Sequence, residues 1–437
     1  MRFADIPQIL ARTIARPRLF HRVLNRLRYL FVICLFLLNA CTSGKFHHVP
    51  CSPSWIPSPS FSAEMECMTK TAWTTGNAVR TLENGDEFFP PMLRAAARAK
   101  HSITFECYTA RDCQPVADFS RILAERARAG VKVHVILDAF GCWPWGDHHL
   151  AEMQKAGVEL KLYSPFNFFI PLRYNHRTHR RVLVVDGQIG FCGGAGWAYN
   201  WTGRAHDRGH WRDTQYELRG PVVAQLQDNF NDNWKELTGV TLSGPAYYPP
   251  PGKPGTLTAQ MVAGSPMKQR DTLGSSTLLA LRAAQKSILI EHSYFLPTAE
   301  IRDALLDAVK RGVQVQIIIP GENTDMPFAK EIMQRTLRRF MDAGVEVYEF
   351  QPTMMHGKLV AIDDQLSIVG SGNLDPRSFF INDENNLHVL SRPFALEQRK
   401  MFERDRARSK RLTEETLRIG FARRFRGFWG HFVVGVL

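Results

Sequence analysis

An internal duplication constrains the fold of this chain more than any other feature. The stretch "AAARAKHSITFECYTARDC", from Ala95, matches "ALRAAQKSILIEHSYFLP", from Ala280. Each copy continues into a helical pattern with a positively charged end, followed by alternating β-branched residues: "LAERARAGVKVHVILD" and "LLDAVKRGVQVQIIIP". Gly130 and Gly312 stand where these helices should stop, since glycine takes the left-handed conformation of a helix C-terminus without strain. Strand–helix–strand units of this kind predict an α/β fold with largely parallel strands covered by helices.

Each half then repeats a second signal. "THRRVLVVDGQIGFCGG" and "MHGKLVAIDDQLSIVGSGN" both read as strand, Asp-Gly or Asp-Asp turn, and strand, a hairpin signature. Aligning the two places His179 over His356, Arg181 over Lys358 and Asp186 over Asp363. His176 has no counterpart and reads as a solvent-facing or hydrogen-bonding residue. Its H-x-x-H spacing with His179 does not amount to a zinc site: no third ligand cluster is near, and none of the eight cysteines forms a CxxC pair. Glu106 and Glu291 recur at the ends of matching strands, lining a pocket or serving the structure.

The chemistry of the duplicated His-x-Lys/Arg-x4-Asp element follows from strand geometry. Residues i and i+2 share one face of a strand, so His179 and Arg181 point into one space, as do His356 and Lys358. Two imidazoles and two cations facing each other suit a phosphodiester. The cations neutralise the non-bridging oxygens, one imidazole attacks phosphorus, and the other protonates the departing alkoxide. No metal or cofactor is required.

These motifs resemble those of the phospholipase D superfamily, over roughly residues 74–412. The second copy, "HGKLVAIDDQLSIVGSGNLDPRSFFINDENN", carries the trailing Asn382-x-Glu384, and the first is followed by the typical "HWRDTQYELRGPVV". Within the superfamily, "LENGDEFFPPML", "TDMPFAKEIMQRTL", "YEFQPTMMHGK" and "MFERDRARSKRLT" are most similar to bacterial cardiolipin synthases and their relatives. The resemblance implies a pseudo-dimer of two phospholipase-D-like domains, each a mixed, mostly parallel sheet flanked by helices, with the active site at their interface. It implies His179 as nucleophile and His356 as general acid, with Glu384 behind His179 and Asp213 behind His356. Arg181, Lys358, Asn373 and Ser371 would hold phosphate oxygens. Asp186 and Asp363 complete the catalytic motif but begin the hairpin turns, which points to a role in holding the loop. Two departures stand out: Arg181 replaces the usual lysine, bringing a planar fork that needs more room. Gly196 stands where many members have asparagine, so a donor is missing unless Asn200 or a backbone N–H supplies it.

The implied activity is phosphatidyl transfer that makes cardiolipin, through a phosphohistidine. Hydrolysis to phosphatidic acid, a nuclease and a catalytically silent lipid-binding protein are the alternatives. Charge bears on the partner. The chain carries +13, of which residues 1–28 hold +6 and residues 402–437 hold +5, which leaves +2 for the body between. Basic ends on a near-neutral body favour anionic phospholipids and a membrane surface over nucleic acid.

The segment "YLFVICLFLLNA" (29–40) has the length of a signal h-region and runs into Cys41 in a lipobox-like context. Lipidation of Cys41 as a periplasm-facing lipoprotein of a bacterial cell membrane, an uncleaved anchor, and a buried segment are the three readings. The last residues, with Phe421, Phe425, Phe428 and Phe432 beside Arg423, Arg424 and Arg426, suit a membrane interface or packing on the body. The expected divisions are thus the signal or anchor segment 1–41, a Pro/Ser-rich linker 42–72, phospholipase-D-like domains at 73–250 and 251–400, and a basic aromatic tail 401–437.

Overall fold

The structure is a computed structural model that describes residues 46, 49–167, 171–268, 271–325 and 327–415. Cys41, the apolar segment before it and the aromatic residues from 421 onward lie outside the described residues.

The repeated strands Ser102–Cys107 and Ser287–His292 are buried from end to end, as strands covered on both faces must be. In chain order the first half comprises α1 (Pro59–Thr69), β1 (Thr74–Glu83), α2 (Asn84–Ala97), β2 (Ser102–Cys107), α3 (Gln114–Arg128) and β3 (Lys132–Asp138). It continues through α4 (Asp147–Lys155), β4 (Glu159–Tyr163), β5 (Val182–Val185), β6 (Ile189–Gly193), β7 (Thr214–Arg219) and α5 (Val222–Thr238). The second half opens with β8 (Leu257–Gly264), α6 (Thr272–Ala283), β9 (Ser287–His292), α7 (Ala299–Lys310), β10 (Gln314–Pro320), α8 (Pro327–Asp342) and β11 (Glu346–Phe350). It closes with β12 (Lys358–Ile362), β13 (Leu366–Gly370), α9 (Pro376–Phe380), β14 (Glu384–Leu390), α10 (Arg392–Ala407) and β15 (Ser409–Arg411).

All the strands join in the order β15-β11-β10-β9-β12-β13-β14-β8-β1-β7-β6-β5-β2-β3-β4. The series β4-β3-β2-β5-β6-β7-β1 repeats as β11-β10-β9-β12-β13-β14-β8, so the duplicated sequence becomes a duplicated sheet joined where β1 pairs with β8. Among the named strands, parallel pairing is confined to β2–β3–β4 and β9–β10–β11, with the remaining strand pairings antiparallel. The sheet is therefore mixed, and the expected parallel emphasis holds only for the strand–helix–strand part, because tight turns can join only antiparallel neighbours. The helix stops fall where expected, with Gly130 and Gly312 at φ 87° and 86°.

Three apolar clusters hold the layers. One packs α2, α3 and α4 on an outer face of the first sheet, through Phe88, Phe119 and Met153, with Phe105 and Val135 on the strands. A second does the same for α6 to α8 on the other sheet. The third lies between the halves, with Val182, Val184 and Leu218 meeting Leu359, Val369 and Leu387 beside residues of α5 and α10.

Two boundaries differ from expectation. The Pro/Ser-rich stretch is not simply an exposed linker: Ser58 caps α1, Pro59 opens it, and Phe61 and Met65 are fully buried in the core of the second half. Serine at the cap and proline in the first turn are helix-start chemistry as much as linker chemistry. At the other end, α10 runs through residue 400 and β15 pairs with β11, so the second half extends to Arg411.

Candidate active site

Each motif histidine enters its strand beside the other half of the chain. Thr178 forms a parallel bridge with Asp383, and His179 N donates to Asp383 O at 2.8 Å. Arg212 bridges Met355 in the same way, and His356 N donates to Arg212 O at 2.7 Å. In a parallel pair the next residues lie side by side, so His179 meets Glu384 and His356 meets Asp213. His179 Nδ1 lies 2.8 and 2.9 Å from the two Glu384 oxygens, and His356 Nδ1 lies 2.6 Å from Asp213 Oδ2. A carboxylate on Nδ1 fixes the tautomer and leaves Nε2 as the reacting nitrogen.

The carboxylates are themselves held. Ser371 and Ser378 donate their hydroxyls to Glu384 at 2.5 and 2.7 Å. Thr214 N donates to Asp213 Oδ1 and Trp201 Nε1 to Asp213 Oδ2, both at 2.8 Å. Burial pushes the Glu384 carboxyl up to about 7 despite its two hydroxyl donors and the nearby cations. Burial also opposes ionisation of Asp213, but His356, Lys358 and the Trp201 N–H outweigh it and hold that group below the usual carboxylate range.

The cations stand two residues on, on the same strand faces. Arg181 Nη1 donates to His179 O at 2.9 Å, and Nη2 lies 3.2 Å from His179 Nε2. Lys358 Nζ donates to His356 O at 2.7 Å and to Ser293 Oγ at 3.1 Å, and Ser293 in turn donates to Asn373 Oδ1 at 3.1 Å. Burial brings the Lys358 ammonium down to about 8. The four groups form one electrostatic unit. Burial, then Arg181, then Lys358 hold His179 well below the ordinary imidazole value, and burial with Lys358 brings His356 to about 4. Both imidazoles are thus neutral at neutral pH until an anion offsets the two cations.

Other expected residues lie elsewhere. Asp186 and Asp363 are a full strand away from the histidines and outside direct chemistry. Asp186 accepts from the backbone N–H groups of Lys100, His101 and Ser102, and Asp363 from those of Gln285, Lys286 and Ser287. Both sit at positive φ, 53° and 56°, in the tight turns that the hairpins require. Ser371 is fully buried with its hydroxyl engaged by Glu384 and Asn385 N, so it supports the carboxylate instead of facing a phosphate. Asn200 bonds to the Gly209 backbone and does not replace the asparagine absent at Gly196.

His176 is buried, not solvent-facing. It bonds Ile381 O and Tyr163 OH and pairs with Asp383, apart from the chemistry. Arg177 and Arg180 are buried too, on Asp138 and Ser265, so most of the basic run is internal. Glu106 and Glu291 lie fully buried on β2 and β9, paired with Val182 and Leu359 of the motif strands. Glu106 accepts from Thr178 and Asn233, while Glu291 closes on Gly357, where an added Cβ would stand 2.1 Å from its oxygen. Among the described residues, one trio could hold a metal, Asp112 with His148 and His149, and neither motif histidine belongs to it. Sequence reasoning passed over Tyr108, whose ring meets His179 at 4.7 Å, and also Ser293, Ser378 and Trp201. The signal for the last two was available: they fall on the same position when the halves are aligned.

A family model described as "Cardiolipin synthase, PLD-like domain" matches residues 92–234 and 278–406. A cardiolipin synthase of Geobacillus kaustophilus is 32% identical over 324 residues, covering 72% of this chain and 64% of the relative. Cardiolipin synthase 2 of Bacillus cereus is 34% identical, covering 70% and 60%. Cardiolipin synthase A of Pseudomonas aeruginosa is 33% identical over 352 residues, covering 80% and 71%. The chain thus spans about 60–64% of the length of the first two. Among solved structures, phosphatidylserine synthase of Haemophilus influenzae shares the fold at a TM-score of 0.61 and 14% identity, covering 85% of this chain and 98% of that one. With both motif regions matched by one family model, the chain belongs to the cardiolipin synthase, phospholipase-D-like family.

Proposed function

We propose that the chain is a phosphatidyltransferase that makes cardiolipin from phosphatidylglycerol at a membrane surface. The observation that supports this reading best is the crossed pairing: each histidine sits on a carboxylate of the other half, beside a cation. A phosphodiester placed between Arg181 and Lys358 has its non-bridging oxygens neutralised, with Asn373 as a further donor. His179 Nε2 attacks phosphorus as Arg181 moves from that nitrogen onto the phosphate. The bond from phosphorus to the glycerol headgroup breaks, and protonated His356 gives its proton to the departing oxygen. His356, now neutral, takes the proton from a hydroxyl of a second phosphatidylglycerol, whose oxygen displaces His179 and forms cardiolipin. Two phosphatidylglycerols thus become one cardiolipin and one glycerol, and His356 ends protonated as it began. No helix among the described residues is long and apolar enough to cross a membrane. Cys41 and the aromatic tail from 421 are proposed as membrane attachments.

The reading is tested by incubating purified protein with phosphatidylglycerol vesicles and EDTA, and identifying products by mass spectrometry. Cardiolipin and glycerol are expected, with turnover lost in His179→Ala. Phosphatidic acid as the main product would instead mark a hydrolase, and undiminished turnover by the variant would overturn the mechanism.

A further inference from the structure

The two positioning carboxylates are held by unlike donors, and the difference runs through three aligned positions. With Gly193 set over Gly370, Gly194 falls on Ser371, Gly196 on Asn373 and Trp201 on Ser378. The second half gives Glu384 two hydroxyls, from Ser371 and Ser378. The first half has neither, and gives Asp213 the indole N–H of Trp201. The glycines make the room for this. A Cβ on Gly194 would stand 2.3 Å from Asp213 Oδ1, and one on Gly196 would stand 3.0 Å from Cζ3 of Trp201. Trp201 is only 4% exposed, and its ring meets His356 edge-on with centroids 5.3 Å apart. Asp213 Oδ2 accepts from both the indole and the imidazole, while Thr214 N holds Oδ1, so the carboxylate is fixed at both oxygens.

We propose that Trp201 is a positioning residue for His356, acting through Asp213, and that its indole N–H assigns His356 the proton-donor role. The physical reason lies in what each donor can do. A serine hydroxyl turns to accept as readily as it donates, so Glu384 can carry a proton without leaving a partner unsatisfied. An indole N–H only donates, so a proton on Asp213 Oδ2 would face the Trp201 N–H and weaken that bond, whereas Asp213 as an anion keeps both of its partners. Once the substrate's phosphate offsets the two cations, the proton on that side therefore resides on His356, as an imidazolium against a fixed anion. On the other side Glu384 can share it, which leaves His179 neutral and nucleophilic. Gly194, Gly196 and Trp201 form one device, exchanged for the Ser371, Asn373 and Ser378 of the other half. The inference rests on the reading of the site as a two-histidine phosphodiester centre.

The test compares Trp201→Phe with Trp211→Phe. The Trp211 ring also lies 5.6 Å from His356, but no bond runs from it to Asp213. Two quantities are read: the titration of His356 by NMR of the unliganded protein with labelled histidines, and kcat with KM on phosphatidylglycerol. Removing a donor makes the carboxylate more basic, so Trp201→Phe is expected to raise the His356 midpoint by about half a unit. It should also lower kcat about tenfold, since a freed carboxylate orients the acid poorly, and leave KM within about twofold. Trp211→Phe should leave the titration where it is. Equal shifts in the two variants, or a Trp201→Phe protein that loses only thermal stability, would overturn the proposal. If wild type fails to turn over phosphatidylglycerol while Trp201→Phe still moves the His356 titration, the substrate reading falls and the inference stands.

Discussion

Arg181 and Lys358 occupy equivalent positions but meet their histidines differently. The guanidinium fork covers the imidazole edge and reaches Nε2 of His179, whereas the ammonium stays by Nδ1 of His356 and turns to Ser293. Lysine and arginine are not interchangeable in such a site, because only lysine can lose its charge in the working pH range. Lys358 is brought down to about 8, so it is charged below that pH and neutral above it. Affinity for a phosphodiester of fixed charge, such as glycerophosphoglycerol, should therefore fall severalfold between pH 7 and pH 9. In Lys358→Arg the same titration calorimetry should show a nearly flat response, and a flat response in wild type would contradict the assigned charge. His179 and His356 were legible from the sequence because the repeat separates a duplicated histidine from a singular one. Glu384 and Asp213 came only through the family resemblance: no spacing rule says that each carboxylate serves the histidine of the opposite half.

At the level of elements, the aspartates of the motif hold the strand ends together. Asp363 gathers three backbone N–H groups at 2.7 to 2.8 Å and sits at positive φ. Asp363→Ala strands those donors and puts a Cβ with no local hydrogen bond in the left-handed region. We expect a loss of about 3 kcal/mol in chemical unfolding, with Asp363→Asn losing roughly half of that because asparagine keeps one acceptor and tolerates the conformation. Turnover per folded molecule should change little, and a large kcat loss without destabilisation would return Asp363 to the chemistry. The hairpins themselves were readable from turn residues between β-branched runs. Helix α1 was not, since its proline and serine look like a linker until Phe61 and Met65 find a core supplied by residues far along the chain. Tertiary burial decided that segment, as it often overrides local composition.

For the whole molecule, the duplication places the two motifs in one chain so that a single centre forms where the halves meet. A centre assembled within one chain cannot be repaired by another copy carrying the complementary defect. Co-expressed and co-purified His179→Ala and His356→Ala proteins should therefore remain inactive together, and recovery of a quarter or more of the activity would indicate sites shared between chains. The most direct measurement of the central claim is a rapid acid-quench of the enzyme with phosphatidylglycerol, followed by peptide mapping under conditions that preserve phosphoramidate bonds. A phosphatidyl adduct on His179, lost in His179→Ala and retained when His356 is replaced, is the expected result. An adduct on His356, or turnover with no histidine adduct at any time, would contradict the account.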